Sequence, residues 1–313
     1  MTYWTNGIVD LRLGDCRDVL RAMPAESVHC VVTSPPYWGL RDYGIGEASI
    51  GLEPTPDLYV EHIVEVFREV RRVLRADGTV WLNLGDGYSS GGRTTYNDVG
   101  SNLDVHVPKQ RPDNPPGLKP KDLLMMPARV ALALQADGWW LRSEIVWAKT
   151  NTTPGSMKDR PTSSHEKLFL LAKAAHYWYD ADAIKTPAKE SSISRWQQNI
   201  EEQQGSAFND RWDQMTKDEQ QSMGANKRDV WWLSPATSDI DHYAVMPEGL
   251  VEPCVLAGCP EDGTVLDPFG GSGTVGVVAQ KLGRRAILID MKGEYLDMAR
   301  HRIEAVPLPM RLE

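Results

Sequence analysis

The sequence predicts an α/β fold built on a seven-stranded, mostly parallel sheet. The first observation is that residues 264–290 alternate between short apolar strands and a helix that begins at a glycine turn. The second is that two N-terminal segments, residues 8–13 and 28–32, have the length and hydrophobicity of central strands. Because little of the chain follows the C-terminal unit, the remaining parallel strands must come from earlier residues.

Hydrophobic periodicity places the individual elements along the chain. Apolar residues at helical spacing predict a long amphipathic helix over 56–75, followed by an Asp-Gly turn and a strand. Two later strands flank a polar loop of hairpin type. The predicted strands are 8–13, 28–32, 79–84, 140–148, 168–172, 264–267 and 286–290. The predicted helices are 56–75, 127–135, 250–257, 274–282 and 295–303.

Two irregular segments divide this pattern. Residues 85–120 are rich in Gly, Ser, Asn and Pro, which predicts a mobile loop. Residues 189–229 are polar and rich in Gln, Glu, Ser and Asn, and they show only a weak helical pattern, which predicts an inserted recognition or lid region. The predicted organisation is therefore one half of the main domain in residues 1–184, an insertion in 185–235 and the other half in 236–313.

Composition bounds the class of protein. The 313 residues carry a formal net charge of −9, and no apolar run approaches the ~18 residues that a membrane helix needs. Because residues 1–6 have neither a basic nor an apolar segment, we expect a cytoplasmic protein. The four cysteines show no metal-ligand spacing, so reduced thiols and no metal site are expected. Against the acidic total, residues 106–173 hold eleven Lys/Arg and six Asp/Glu.

A glycine-rich turn points to an adenosine-containing cofactor. Residues 271–276 fit the pattern GxGxxG after a strand and before a helix, and Asp290 ends the next strand. NAD and S-adenosylmethionine both contain an adenosine, so the pattern alone does not choose between them. Asp267, just before the turn, would attract the positive charge of S-adenosylmethionine and repel a pyrophosphate. A glycine turn without a cofactor and a structural Asp267 remain the alternatives.

The second chemical signal is Ser34-Pro35-Pro36-Tyr37, which follows the strand at 28–32. Two prolines fix an extended backbone and remove two N–H donors, so the Ser34 hydroxyl and the carbonyl oxygens are left to face a ligand. Such acceptors suit an amino group. Tyr37 offers a flat face on which a base extruded from a duplex can stack. The alternative is a rigid turn with a packed tyrosine.

Taken together, these motifs resemble the amino-methylating DNA methyltransferases of the permuted β class, which modify N4 of cytosine or N6 of adenine. The resemblance covers most of the chain. It implies a circularly permuted, Rossmann-like methyltransferase sheet, S-adenosylmethionine as cofactor, double-stranded DNA as substrate, and a target-recognition role for 185–235. The segments that carry it are residues 14–16, 33–37, 228–231, 242–248 and 267–274.

The resemblance also assigns roles to residues. It makes Ser34, Pro35, Pro36 and Tyr37 catalytic and places the basic stretch 106–173 against the DNA backbone. Asp290 takes the ribose position, where the family commonly has Glu, which is one methylene longer. Asp15 and Cys16 would lie beside the adenine, and residues 242–248 beside the methionine portion. The full cofactor-binding set is Asp15, Cys16, His242, Pro247, Glu248, Asp267, Pro268, Phe269, Gly270, Gly271, Ser272, Gly273, Thr274 and Asp290.

The expected reaction is direct methyl transfer to an exocyclic amino group. Ser34 Oγ and the Pro35 carbonyl would accept the amino hydrogens and aim the nitrogen lone pair at the methyl group. Cys254 lies in a core-helix pattern, which disfavours a cysteine nucleophile and 5-methylcytosine. Ser34 favours cytosine N4, with adenine N6 as the alternative; a DNA-binding regulator is disfavoured because both motifs are intact. The recognition sequence, a partner restriction endonuclease and the choice between monomer and homodimer stay open.

Overall fold

The computed structural model describes residues 2–40, 50–89, 117–152, 155, 157–187, 224–235 and 246–308. The chain divides into two compact units, one formed by residues 1–179 and 229–313 and a smaller one formed by 180–228. The larger unit contains a single mixed sheet and six α-helices among its described residues. It therefore carries the architecture that positions the candidate site.

The nine strands of this sheet lie in the order β1-β2-β9-β8-β3-β4-β6-β5-β7. Five of the eight pairings are parallel, and three are antiparallel. The strands are β1 (Thr2–Thr5), β2 (Val9–Leu13), β3 (Val28–Thr33), β4 (Leu74–Leu84), β5 (Trp140–Lys149), β6 (His165–Ala172), β7 (Val230–Leu233), β8 (Thr264–Asp267) and β9 (Arg285–Asp290). The helices are α1 (Cys16–Arg21), α2 (Pro56–Val73), α3 (Met126–Ala136), α4 (Glu248–Gly258), α5 (Thr274–Lys281) and α6 (Gly293–Glu304).

The predicted α/β class with a mostly parallel sheet is confirmed, but the predicted count of seven strands is wrong. The two missed strands, β1 and β7, lie at the two edges of the sheet. In β1, three of the four residues are exposed, so no apolar face marks it as a strand. β7 falls inside the range 185–235 that the sequence assigned to the insertion, and it pairs with β5 in parallel.

The long helix α2 shows how local sequence sets the boundaries. Thr55 caps its N-terminus by accepting a hydrogen bond from the backbone N–H of Leu58, and Pro56 occupies the first turn, where no N–H is needed. The helix ends at Val73, two residues before the predicted end, because Leu74 is extended and already pairs with β3. The chain therefore passes from helix to strand without a loop.

Both faces of the sheet are covered by helices. Val31 of β3 lies in the buried cluster that α2 and α3 form with one face. Its neighbour Cys30 points the other way, where its Sγ lies 4.0 Å from the carbonyl oxygen of Cys254 in α4. Central strands buried on both sides explain the continuous apolar runs in the sequence.

Several predicted features lie wholly or partly outside the described residues. Of the predicted mobile loop 85–120, the structure describes only 85–89 and 117–120. Of the insertion, residues 188–223 fall outside the description, so its recognition role stays a prediction. None of the described helices is long and apolar enough to cross a membrane. No disulfide joins the four cysteines, and all four are buried.

Candidate active site

Predicted site residues lie at the carboxyl ends of parallel strands, along one edge of the sheet. β2, β9, β8 and β3 are neighbours and run in the same direction, so their carboxyl ends meet. Asp290 ends β9, Asp267 ends β8 and Ser34 follows β3 directly. Ligands bind in open α/β sheets at this edge.

A cleft opens at these strand ends. Its space measures about 960 Å³ when the part open to solvent is included. Twelve predicted site residues line it: Asp15, Cys16, Ser34, Pro36, Asp267, Pro268, Phe269, Gly270, Gly271, Ser272, Thr274 and Asp290. Residues that the sequence prediction omitted also line it: Arg17, Ile50, Ile289, Met291, Lys292 and Tyr295.

Asp290 organises the glycine turn through two backbone hydrogen bonds. Its Oδ2 accepts from the N–H of Gly271 at 2.9 Å, and its Oδ1 accepts from the N–H of Lys292 at 2.8 Å. Burial raises the pKa of Asp290, although these hydrogen bonds act in the opposite direction. Because a carboxylate has about four acceptor positions, lone pairs remain for further donors.

The glycine turn itself requires glycine at position 273. Gly273 has a φ of 82°, and a Cβ built on it would lie 2.6 Å from the Cβ of Ala299 in α6. Behind the turn, Arg302 Nη1 donates to the carbonyl oxygen of Ser272 at 2.7 Å and to the Thr274 hydroxyl at 3.1 Å. Helix α6 thus holds the turn against the sheet.

Asp267 joins the two motifs. Its Oδ1 accepts a 2.7 Å hydrogen bond from the Thr33 hydroxyl and a 3.0 Å bond from the N–H of Phe269. The residue is only 2% exposed. Burial raises the pKa of Asp267 to about 7, despite these two donors. A cation in the cleft would therefore favour the ionised form of the Asp267 carboxyl group.

Asp15 and Cys16 lie at the opposite wall of the cleft, at the start of α1. Asp15 is the N-cap of this helix, accepts from the backbone N–H of Arg17 at 2.8 Å and forms an ion pair with the Arg17 guanidinium. Burial opposes ionisation of Asp15, but the Arg17 hydrogen bonds prevail and lower its pKa. Burial raises the pKa of the Cys16 thiol to about 12, so this sulfur lines the cleft as an apolar group.

Of the predicted cofactor residues that the structure describes, Gly273, Pro247 and Glu248 do not line the cleft. Pro247 is the N-cap of α4, and Glu248 in its first turn lies 2.5 Å from Lys281 Nζ in an ion pair. His242 lies outside the described residues, so its role remains a prediction. Met246, from the same segment, does line the cleft.

The predicted catalytic motif, residues 34–37, is anchored by hydrogen bonds that the sequence does not reveal. Ser34 Oγ donates to the Tyr37 hydroxyl at 3.2 Å, and that hydroxyl donates to Glu166 Oε2 at 2.7 Å. Asn83 Oδ1 lies 3.3 Å from the same hydroxyl. Burial, followed by the Glu166 charge, raises the pKa of Tyr37 well above its ordinary value, so the phenol stays neutral. Lys149 Nζ contacts the other Glu166 oxygen at 2.5 Å.

Neighbouring groups fix the backbone of this motif. The Tyr59 hydroxyl donates to the Pro36 carbonyl at 2.9 Å, and the Trp38 indole N–H donates to the Glu53 carbonyl at 2.8 Å. The Tyr37 ring lies so close to Gly85 that a Cβ there would meet it at 2.6 Å. Among the described residues, none donates a backbone hydrogen bond to the Pro35 carbonyl. The Pro35 carbonyl thus keeps acceptor capacity. Of the four predicted catalytic residues, Ser34 and Pro36 line the cleft, whereas Pro35 and Tyr37 do not.

Much of the basic stretch 106–173 is paired with acids. The described ion pairs are Lys119–Asp122, Lys121–Asp159, Arg129–Asp57, Lys149–Glu166, Lys167–Glu144 and Lys173–Glu26. Arg160 instead lies over the Tyr88 ring at 3.6 Å. Lys109 and Arg111 lie outside the described residues. Apart from Lys149–Glu166, whose side chains are largely buried, each pair has at least one exposed side chain, and exposed ion pairs are weak.

Comparison with known protein families gives one match that spans most of the chain. Residues 28–301 match the family N6_N4_Mtase, described as DNA methylase. The chain is 43% identical to the type II methyltransferase M.SmaI of Serratia marcescens, over 93% of this chain and 89% of that protein. It is 44% identical to the type II methyltransferase M.Cfr9I of Citrobacter freundii, over 93% of this chain and 86% of that protein.

Solved structures share the fold. The PvuII DNA methyltransferase, titled cytosine-N4-specific, superposes with a TM-score of 0.65 at 19% identity and covers 100% of this chain and 90% of its own. A DNA modification methylase from Thermus thermophilus, complexed with S-adenosyl-L-methionine, has a TM-score of 0.55 at 22% identity, with 94% of this chain and 93% of that chain covered.

Proposed function

We propose, from the premise that the chain belongs to the N6_N4_Mtase family of DNA methylases, that it methylates the exocyclic N4 of cytosine in duplex DNA. The methyl donor is S-adenosylmethionine. The observation that carries the proposal is Ser34, which heads the Pro-Pro-Tyr motif and lines the same cleft as Asp267 and Asp290. Methylation of adenine N6 is the alternative.

The residues of the cleft fit S-adenosylmethionine. Asp290 retains acceptor positions for the ribose hydroxyls, and the glycine turn allows close approach of the backbone. The buried Asp267 offers a carboxylate to a cation, and the Cys16 side adds an apolar wall. When bound, S-adenosylmethionine supplies a methyl group on a positively charged sulfur. A Rossmann pyrophosphate would instead meet Asp267 and be repelled.

The chain's own contribution to the reaction is to orient the amino nitrogen. This nitrogen is a poor nucleophile because its lone pair is delocalised into the ring. Ser34 Oγ and the Pro35 carbonyl accept its two hydrogens and turn its lone pair toward the cleft, which is catalysis by positioning and electrostatics. The face of Tyr37 supports the extruded base. The proposal needs no covalent enzyme intermediate, and Cys254 is fully buried in α4 and does not line the cleft.

Two observations favour cytosine over adenine. Ser34 offers a neutral hydroxyl, whereas the adenine enzymes of the resembled family more often carry Asp or Asn at that position. The PvuII enzyme, whose title gives cytosine-N4 specificity, shares the fold over the whole chain. The type II names of the relatives support a role in a restriction-modification system, with target recognition by residues 185–235 and a partner restriction endonuclease.

The product analysis tests the proposal directly. The protein is incubated with S-adenosylmethionine and unmethylated DNA, which is then digested to nucleosides and separated by mass-resolved chromatography. N4-methylcytosine is the expected product. If N6-methyladenine is the only product, the target base is adenine and not cytosine. If 5-methylcytosine forms, the proposed mechanism is wrong, because carbon methylation needs a cysteine nucleophile. Methylome sequencing of a host that expresses the protein then gives the sequence context.

A further inference from the structure

Glu166 links the Tyr37 hydroxyl to the ammonium group of a lysine. Its Oε2 accepts from Tyr37 at 2.7 Å, and its Oε1 lies 2.5 Å from Lys149 Nζ. Both partners are largely buried, with side-chain exposures of 15% for Glu166 and 23% for Lys149. Glu166 is the second residue of β6 and lies 129 positions from Tyr37 in the chain.

These contacts fix the direction of a short hydrogen-bond chain. A carboxylate in an ion pair can only accept, so the Tyr37 proton points at Glu166. The Tyr37 oxygen is then left with lone pairs only, and it accepts the Ser34 proton at 3.2 Å. With its proton committed, Ser34 Oγ presents only lone pairs on its remaining side.

We propose that Glu166, held by Lys149, is a positioning residue that sets the Ser34 hydroxyl as an acceptor toward the target base. The inference rests on the proposed function and deepens it. A hydroxyl fixed as an acceptor accommodates the amino groups of cytosine and adenine, which donate. It disfavours the O4 oxygen of thymine and the O6 oxygen of guanine, which only accept. Glu166 thus contributes to the choice of an amino group without touching the base.

The variant Glu166→Gln tests this direction with little change in shape. Because Lys149 donates toward Oε1, the carboxamide oxygen takes that side and the amide nitrogen faces Tyr37. The amide then donates to the Tyr37 oxygen and competes with Ser34 for it. We expect kcat for methyl transfer to fall about tenfold, with the KM for DNA and the Kd for S-adenosylmethionine within about twofold of the wild type.

The same hairpin offers a matched control. Glu144 forms an ion pair with Lys167 at 2.5 Å, between the same two strands, but no contact of Glu144 with Tyr37 is found in the described part of the chain. Glu144→Gln should leave kcat unchanged. In a Tyr37→Phe background the hydroxyl is absent, so adding Glu166→Gln should change kcat by less than about twofold, as a double-mutant cycle requires for residues that act through one another.

The outcomes separate this inference from the proposed function. If the wild-type protein transfers no methyl group to unmethylated DNA, the proposed function fails. If it does transfer, and Glu166→Gln retains the wild-type kcat or loses as much in the Tyr37→Phe background as alone, the positioning role is refuted. Should Glu166→Gln not unfold cooperatively, Tyr37→Phe removes the same link with the ion pair intact, and wild-type kcat in that variant refutes the role.

Discussion

If Asp267 lies beside the positive charge of the cofactor, as proposed above, cofactor affinity should depend on pH. In the free protein, burial raises the pKa of Asp267 to about 7, so the carboxyl is mostly protonated at pH 6 and mostly ionised at pH 8. A cation bound beside it favours the ionised form. Binding of S-adenosylmethionine at pH 6 must therefore expel a proton, which weakens the affinity.

The size of the effect follows from the pKa. With a value of about 7 in the free protein and a much lower one in the complex, affinity should be about tenfold weaker at pH 6 than at pH 8, or ~1.4 kcal/mol. The stability of the free protein moves the other way. Because the folded pKa of Asp267 lies above its unfolded value of about 3.9, its contribution to stability is full below about pH 4 and is lost as the pH rises from there to about 7.

Isothermal titration calorimetry at both pH values, in buffers with different ionisation enthalpies, measures the affinity and the proton release. The control is Asp267→Asn, whose carboxamide oxygen can still accept from Thr33 and Phe269. The ligand's own amino group titrates equally with both proteins, so their difference isolates Asp267. Equal pH dependence in the wild type and the variant would refute the reasoning.

Three further predictions concern the turn and the motif. Asp290→Ala should weaken S-adenosylmethionine binding by ~1.5–3 kcal/mol, and unchanged affinity in a folded variant would remove Asp290 from the site. Tyr37→Ala should leave that affinity intact while methyl transfer falls by roughly one to two orders of magnitude, and a wild-type rate would contradict the stacking role. Gly273→Ala should destabilise the protein by ~2–4 kcal/mol in denaturant unfolding, because its Cβ would lie 2.6 Å from that of Ala299. Gly283→Ala, at a φ of 70° in open space, is the control and should cost only about 1 kcal/mol.

The cofactor half could be predicted closely from the sequence because its signals are local. The strand, turn and helix around Gly273 are contiguous, and Asp290 follows at a fixed offset at the end of the next strand. The sequence pattern does not show that the Asp290 carboxylate also accepts a hydrogen bond from the backbone of the glycine turn. Lys292 and Tyr295 were missed although they follow Asp290 closely and line the same cleft.

The support of the catalytic motif could not be predicted because it depends on strand register. Glu166 reaches Tyr37 only because β6 pairs with β4 so that Leu84 lies opposite Lys167. A shift of one residue would send the Glu166 side chain to the other face of the sheet. Register of this kind, between strands far apart in sequence, leaves no periodic signal. The edge strand β1 was missed because three of its four residues are exposed, so it lacks the continuous apolar run of the central strands.

The reversed direction of β6 places the connection between β5 and β6 apart from the strand pairing that holds Glu166 and Lys149. Since β6 is antiparallel to β4 and β5 to β6, the connection between β5 and β6 turns at the edge where the cleft opens. Lys149 and Glu166 stand at its two ends and are held by the ladder, not by the connection. Insertions and deletions in this connection would reshape the rim of the cleft while leaving the strand register, and therefore the contacts of Glu166, unchanged.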